Sequence, residues 1–160
     1  KIKKNIIIKG LNTFKGLPHR NEIFYQKSGI TFINDSKATS FDAAEHALKN
    51  GKNIFWILGG LPKLSDKFRL KAVKKNIIKS YIIGKNINYF KKQIGDMLEY
   101  KSSYTLEQAL KDIIKDLFLL NQKRATVLLS PAGASYDQFN NFAERGNHFK
   151  LLTLKHARKF

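Results

Sequence analysis

The sequence predicts an α/β fold: a Rossmann-like, doubly wound, mostly parallel sheet of about six strands, with one antiparallel edge strand and helices on both faces. Three observations predict it. Runs rich in β-branched and aromatic residues alternate with helix-period segments along most of the 160 residues. Five successive strand–helix alternations need crossover connections, which make strands parallel and place helices against both faces. The run NIFWIL (53–58) carries no polar alternation, as expected of a strand buried on both sides.

The elements follow in order. EIFYQ (22–26) and ITFIND (30–35) are strands joined by KSG (27–29), a turn suited to an antiparallel hairpin at the sheet edge. FDAAEHALKN (41–50) is a helix stopped by Gly51, and NIFWIL is the next strand. DKFRLKAVKKN (66–76) reads as a helix, IKSYIIG (78–84) as a strand and NINYFKKQIG (86–95) as a short helix. MLEYK (97–101) is a weak strand. TLEQALKDIIKDLFLLNQK (105–123) is a long helix with a Thr105–Gln108 capping box. ATVLLS (125–130) is the last strand, and residues 136–160 form the last helical region, entered through a second S-x-x-Q box, Ser135–Gln138.

Residues 16–160 make one domain, and residues 1–15 read as a linker or tail from an upstream domain. The net charge is +18. Its lysines are scattered over most segments, and the basic runs KAVKK and KHARK lack interleaved aromatics, so nucleic acid is not the expected partner. No apolar run approaches a membrane span, and the start KIKKNIII lacks a cleavage site. The absence of cysteine fits a reducing compartment. A cytoplasmic monomer without membrane contact is expected.

Three polar clusters follow strands and precede helices: NDSKATS (34–40), GGLPK (59–63) and SPAGAS (130–135). In a parallel sheet these carboxyl ends share one rim, where open α/β folds bind ligands. Lys37 and Lys63 bring positive charge, while Thr39, Ser40 and Ser135 bring hydroxyls. The helix starts bring unpaired N–H groups. A small dicarboxylate or a phosphate suits such a rim. Each feature also has a structural reading: Thr39 or Ser40 as a helix cap, Ser135 as half of a capping box, the lysines as solvated surface. No P-loop, no G-x-G-x-x-G and no histidine pair at metal spacing is present, so the chain reads as a binding domain and not a complete catalytic one.

Four stretches in order, FKGLPHRNE (14–22), INDSKATS (33–40), ILGGLPK (57–63) and LLSPAGASYDQFNNFAERGNHF (128–149), resemble the C-terminal domain of the Mur ligases. Among these, the members that add D-glutamate to UDP-N-acetylmuramoyl-L-alanine are the nearest in pattern. The resemblance implies an ATP-dependent, Mg²⁺-dependent amide-forming ligase of peptidoglycan synthesis, working through an acyl phosphate. It implies that Arg20 and Asp35 face the nucleotide and that Lys37 lies by the transferring phosphoryl group. Thr39, Lys63, Ser135, Tyr136 and Phe142 would contact D-glutamate, the last two through backbone N–H groups. Gln138, Asn141 and Arg145 either line the pocket or tie neighbouring loops together. Family members commonly carry cysteine where Gly133 stands, a change expected to matter little. The family holds ATP and Mg²⁺ mainly on a central P-loop domain outside these residues, so the chain alone is expected not to catalyse ligation. The competing readings are a sister ligase for another amino acid and a basic, non-catalytic nucleotide- or nucleic-acid-binding module.

Overall fold

The computed structural model describes residues 2–14, 16–63, 65–66 and 68–156. The end of the last expected helix, 157–160, and residues 1 and 15 of the expected tail lie outside them. Helix α1 (Lys4–Thr13) buries none of its residues. Strands β1 (Glu22–Lys27) and β2 (Ile30–Asn34) form the expected antiparallel hairpin. Then come α2 (Phe41–Asn50), β3 (Ile54–Gly59), the four-residue α3 (Leu70–Val73), β4 (Ile77–Ile83), α4 (Ile87–Ile94), β5 (Tyr100–Tyr104), α5 (Leu106–Leu119), β6 (Ala125–Leu129) and α6 (Phe142–His156). The sheet order is β1-β2-β6-β3-β4-β5, and every pairing except β1 with β2 is parallel.

β3 divides its residues between two cores because successive side chains leave a strand on opposite faces. Ile54, Trp56 and Leu58 join α2, Val73 of α3 and α4 on one side. Phe55 and Ile57 join α5 and α6 on the other. All five are fully buried. Burying a side chain of this size stabilises by roughly 1.5–3 kcal/mol, which is why this run tolerates no polar alternation.

Three local expectations are corrected. The helix expected over 66–76 is only α3 followed by a 3₁₀ turn, Lys74–Asn76. Asp66 is engaged elsewhere: its carboxylate accepts the Phe41 N–H at the start of α2. Phe68 stacks on Phe41 with 4.5 Å between ring centroids, so the segment is anchored as a loop over the core. The weak strand expected at 97–101 lies at Tyr100–Tyr104, in register with β4 from Ser80 onwards, with a 3₁₀ turn at Gly95–Met97 before it. The last helix begins at Phe142, and residues 136–141 are turns and bends.

Candidate functional site

The rim follows from topology. β6 lies between β2 and β3. The chain leaves β2 and β3 towards the α2–α3–α4 face but leaves β6 towards α6 on the opposite face. Diverging connections open a crevice on each side of β6, the usual ligand position in such sheets.

The three loops do converge. The Asp35 N–H donates to the Leu129 carbonyl at 2.8 Å, and the Ala132 N–H donates to the Ala38 carbonyl at 2.9 Å. The Gly59 N–H donates to the Pro131 carbonyl at 2.7 Å. Leu61 and Ala134 form a two-way bridge, each N–H donating to the other's carbonyl at 2.8 Å. Lys63 therefore lies two residues from a bridge whose other side adjoins Ser135. The fully buried Trp56 indole N–H braces this arrangement by donating to the Ser130 carbonyl at 2.8 Å.

Each candidate residue has a definite place. Lys37 holds its Nζ 4.0 Å above the centre of the Phe142 ring, linking the loop after β2 to the first residue of α6. Ser40 caps α2 by accepting the Ala43 N–H at 3.3 Å, which leaves the neighbouring Thr39 exposed at the rim. Lys63 is exposed and Ser135 is buried. Tyr136 is 70% exposed. Among the described residues, no protein acceptor takes the backbone N–H of Tyr136 or of Phe142.

Asp35 is buried, with one oxygen accepting the Ser130 hydroxyl at 2.7 Å and the other the Asn21 N–H at 3.0 Å. Burial pushes its carboxyl above the ordinary range, against the pull of those two donors. Arg20 is exposed and lines an open groove of about 480 Å³ with Leu17, Pro18, Asn21 and Ile23. Each Asp35 oxygen retains a second lone pair, so the pair Arg20 and Asp35 keeps acceptor and donor capacity. Among the described residues no group of three or more His, Asp or Glu side chains could hold a metal ion.

The polar stretch 136–141 does not form a helical first turn. Asp137 accepts the Lys85 N–H at 2.9 Å, and the Gln138 amide donates to the Tyr104 carbonyl at 2.9 Å. The helix cap is Asn141, whose Oδ1 accepts the Glu144 N–H at 2.8 Å while Glu144 accepts the Asn140 N–H in return at 2.8 Å. The N-x-x-E spacing at 141–144 is a sequence signal for this start, masked by the S-x-x-Q pattern before it. Gln138 and Asn141 thus have structural partners. So does Arg145, which bonds Ser36 and Gly133.

His19 and Asn34 were not among the expected site residues. The His19 Nδ1 lies 2.8 Å from the Asn34 amide nitrogen, and the Asn34 amide also reaches Glu22 and Gly146. This buried cluster holds the GLPHR segment against β2 and α6. Gly133 is tight as well: a Cβ there would lie 3.0 Å from the Gly59 carbonyl oxygen and 3.1 Å from the Phe90 ring. A cysteine at that position needs its neighbours to yield by a few tenths of an ångström.

Relatives found by comparison with known proteins include three UDP-N-acetylmuramoylalanine--D-glutamate ligases. The chain is 41% identical to that of Rhizobium meliloti over 143 residues, 89% of this chain and 31% of the relative. It is 38% identical to that of Bradyrhizobium diazoefficiens over 151 residues, 94% of this chain and 32% of the relative. It is 42% identical to that of Mesorhizobium japonicum over 141 residues, 88% of this chain and 30% of the relative. The chain spans less than a third of the length of these relatives. No family model matches it. Among the described residues, no helix is long and apolar enough to cross a membrane.

Proposed function

We propose, on the premise that the chain belongs to the Mur ligase family as a C-terminal domain, that its rim holds D-glutamate for ATP-dependent ligation to UDP-N-acetylmuramoyl-L-alanine. The observation that supports this most directly is the hydrogen-bonded convergence of the three loops. It gathers Lys37, Thr39, Lys63 and Ser135 around β6, beside the free N–H groups of Tyr136 and Phe142. Two cationic side chains, hydroxyls and unpaired amides suit a guest with two carboxylates and one amine.

In this reading the domain orients and the rest of the enzyme activates. Lys63, Thr39, Ser135 and the two backbone amides hold the carboxylates of D-glutamate, leaving its amine free to attack the acyl phosphate. Holding the amine in place lowers the entropic barrier of a bimolecular step. Lys37 stabilises charge that develops on the tetrahedral intermediate; its packing on Phe142 limits where its ammonium can go. Arg20 and Asp35 meet the nucleotide as the domain closes, which excludes water. ATP supplies the phosphoryl group and Mg²⁺ shields its charge, both held mainly by residues outside this chain.

The test joins the chain to a Mur-type ATPase domain and measures D-glutamate-dependent phosphate release. Lys63→Ala is expected to raise the apparent KM for D-glutamate by at least roughly tenfold, since a charge-assisted contact is worth roughly 1.5–3 kcal/mol. Unchanged turnover and unchanged KM would show that the pocket is assigned to the wrong residues. Competition among D-glutamate, L-glutamate and L-lysine separates this ligase from sister ligases.

A further inference from the structure

One charged group beside the rim plays no part in those steps. Arg145 is 1% exposed. Its Nε donates to the Ser36 hydroxyl at 3.0 Å, one terminal nitrogen to the Ser36 carbonyl at 2.9 Å and the other to the Gly133 carbonyl at 3.0 Å. That last nitrogen also lies 3.2 Å from where a Cβ of Gly60 would stand. The guanidinium thus bonds the loops after β2 and β6 and lies close to Gly60 in the loop after β3.

All three of its acceptors are neutral. Among the described residues no carboxylate oxygen lies within 4.0 Å of it. The nearest acidic influence is Asp137, whose carboxylate is engaged by the Lys85 N–H. Burial pushes the guanidinium pKa down to about 10, so it remains charged at neutral pH. A buried cation with no carboxylate in contact is costly, and a neutral side chain of similar volume often serves a fold as well or better. Hydrogen bonds to neutral carbonyls explain where the fork points. They do not explain why the group there is charged.

We propose that Arg145 is a positioning residue that also acts electrostatically. It clamps the loops after β2 and β6 from beneath, and its charge gains a close counter-charge when an amino acid with two carboxylates occupies the rim. This rests on the reading of the rim as a dicarboxylate site and goes beyond it. The direct contacts set the shape of the guest, whereas the charge underneath sets the preference for a carboxylate over an isosteric amide. Coulomb attraction through a protein interior acts without contact, so a buried guanidinium a layer below the ligand still discriminates charge.

The experiment measures the binding of D-glutamate and of D-glutamine to the chain, each followed by backbone amide shifts of the rim glycines. The variants are Arg145→Lys and Arg145→Gln. The unaltered chain should favour D-glutamate. Arg145→Gln should reduce that preference by about tenfold, and Arg145→Lys should keep it within about threefold while weakening both ligands, because the charge stays and the fork is lost. A purely structural clamp predicts the opposite signature: both ligands weakened equally and the ratio unchanged in both variants, which overturns the proposal. If Arg145→Gln does not fold, Arg145→Met, neutral and of similar length, takes its place: a preference reduced about tenfold supports the proposal, and an unchanged ratio refutes it. Should the unaltered chain bind neither ligand at the rim, the dicarboxylate reading itself fails and this inference falls with it; a preference that survives Arg145→Gln removes the inference alone.

Discussion

Gly60→Ala tests the convergence of the loops directly. Gly60 has φ +120°, a region open to glycine and little else, and a Cβ there would stand 2.2 Å from the Ala134 carbonyl oxygen. That oxygen accepts the Leu61 N–H in the bridge that joins two rim loops. Alanine therefore adds backbone strain of about 1–3 kcal/mol. It also pushes apart a bridge of two hydrogen bonds, each worth roughly 1 kcal/mol. Gly95 is the control: it also has positive φ, +52°, but a Cβ there meets nothing within 4 Å. Gly95→Ala carries the strain without the collision. Urea unfolding followed by Trp56 fluorescence should place Gly60→Ala about 2 kcal/mol below Gly95→Ala, or roughly 1 M in midpoint for a slope of about 2 kcal/mol per molar. D-Glutamate affinity should fall in Gly60→Ala and hold in Gly95→Ala. Equal stabilities, within about 0.5 kcal/mol, would mean that the bridge does not hold the rim together.

The buried Asp35 and His19 should each leave a mark on stability as pH changes. Burial raises the Asp35 carboxyl, so its ionised form costs the fold at neutral pH, and that cost disappears as pH falls through the carboxylate range. Asp35→Asn makes no such gain on acidification, so it should lose ground to the unaltered chain between pH 7 and pH 4 in urea unfolding. A stability difference that stays constant over that interval would contradict this. For His19, burial comes first among the causes that lower its pKa, with Glu22 and Asn34 opposing and Lys150 assisting. Its neutral form is the one that folds, so its contribution is present above the ordinary value of 6.5 and is lost as pH falls through the lowered value. His19→Asn, which tolerates the φ of +63° found there, should narrow its stability deficit between pH 7 and pH 5. A deficit unchanged over that range would remove His19 as the titrating group.

Local chemistry was enough to read most of the frame. The two-sided burial of NIFWIL, the KSG turn and the Thr105 cap are properties of short stretches, and all three appear where expected. The rim was legible for a related reason: parallel strands leave their polar loops on one side whatever their order. The misplaced starts share a cause. Asp66 and the Ser135–Gln138 pattern read as helix starts by their neighbours, yet the Asp66 carboxylate accepts the distant Phe41 N–H and the Gln138 amide donates to the distant Tyr104 carbonyl. No local rule can weigh such a partner.

What the sequence by itself determined is therefore the six strands and most of the helices that join them, the single rim and the kinds of groups gathered there, because periodicity and turn chemistry act within a few residues. Only the tertiary structure decided which residues cap, which stay free and what lies beneath. Ser40 takes the cap and leaves Thr39 exposed. Arg145, which looked like one polar residue among several on a helix, is buried against Ser36 and Gly133, 109 residues away in one case and 12 in the other. Its surroundings exist only once β6 has been inserted between β2 and β3, and a charge acquires its meaning from what surrounds it in space.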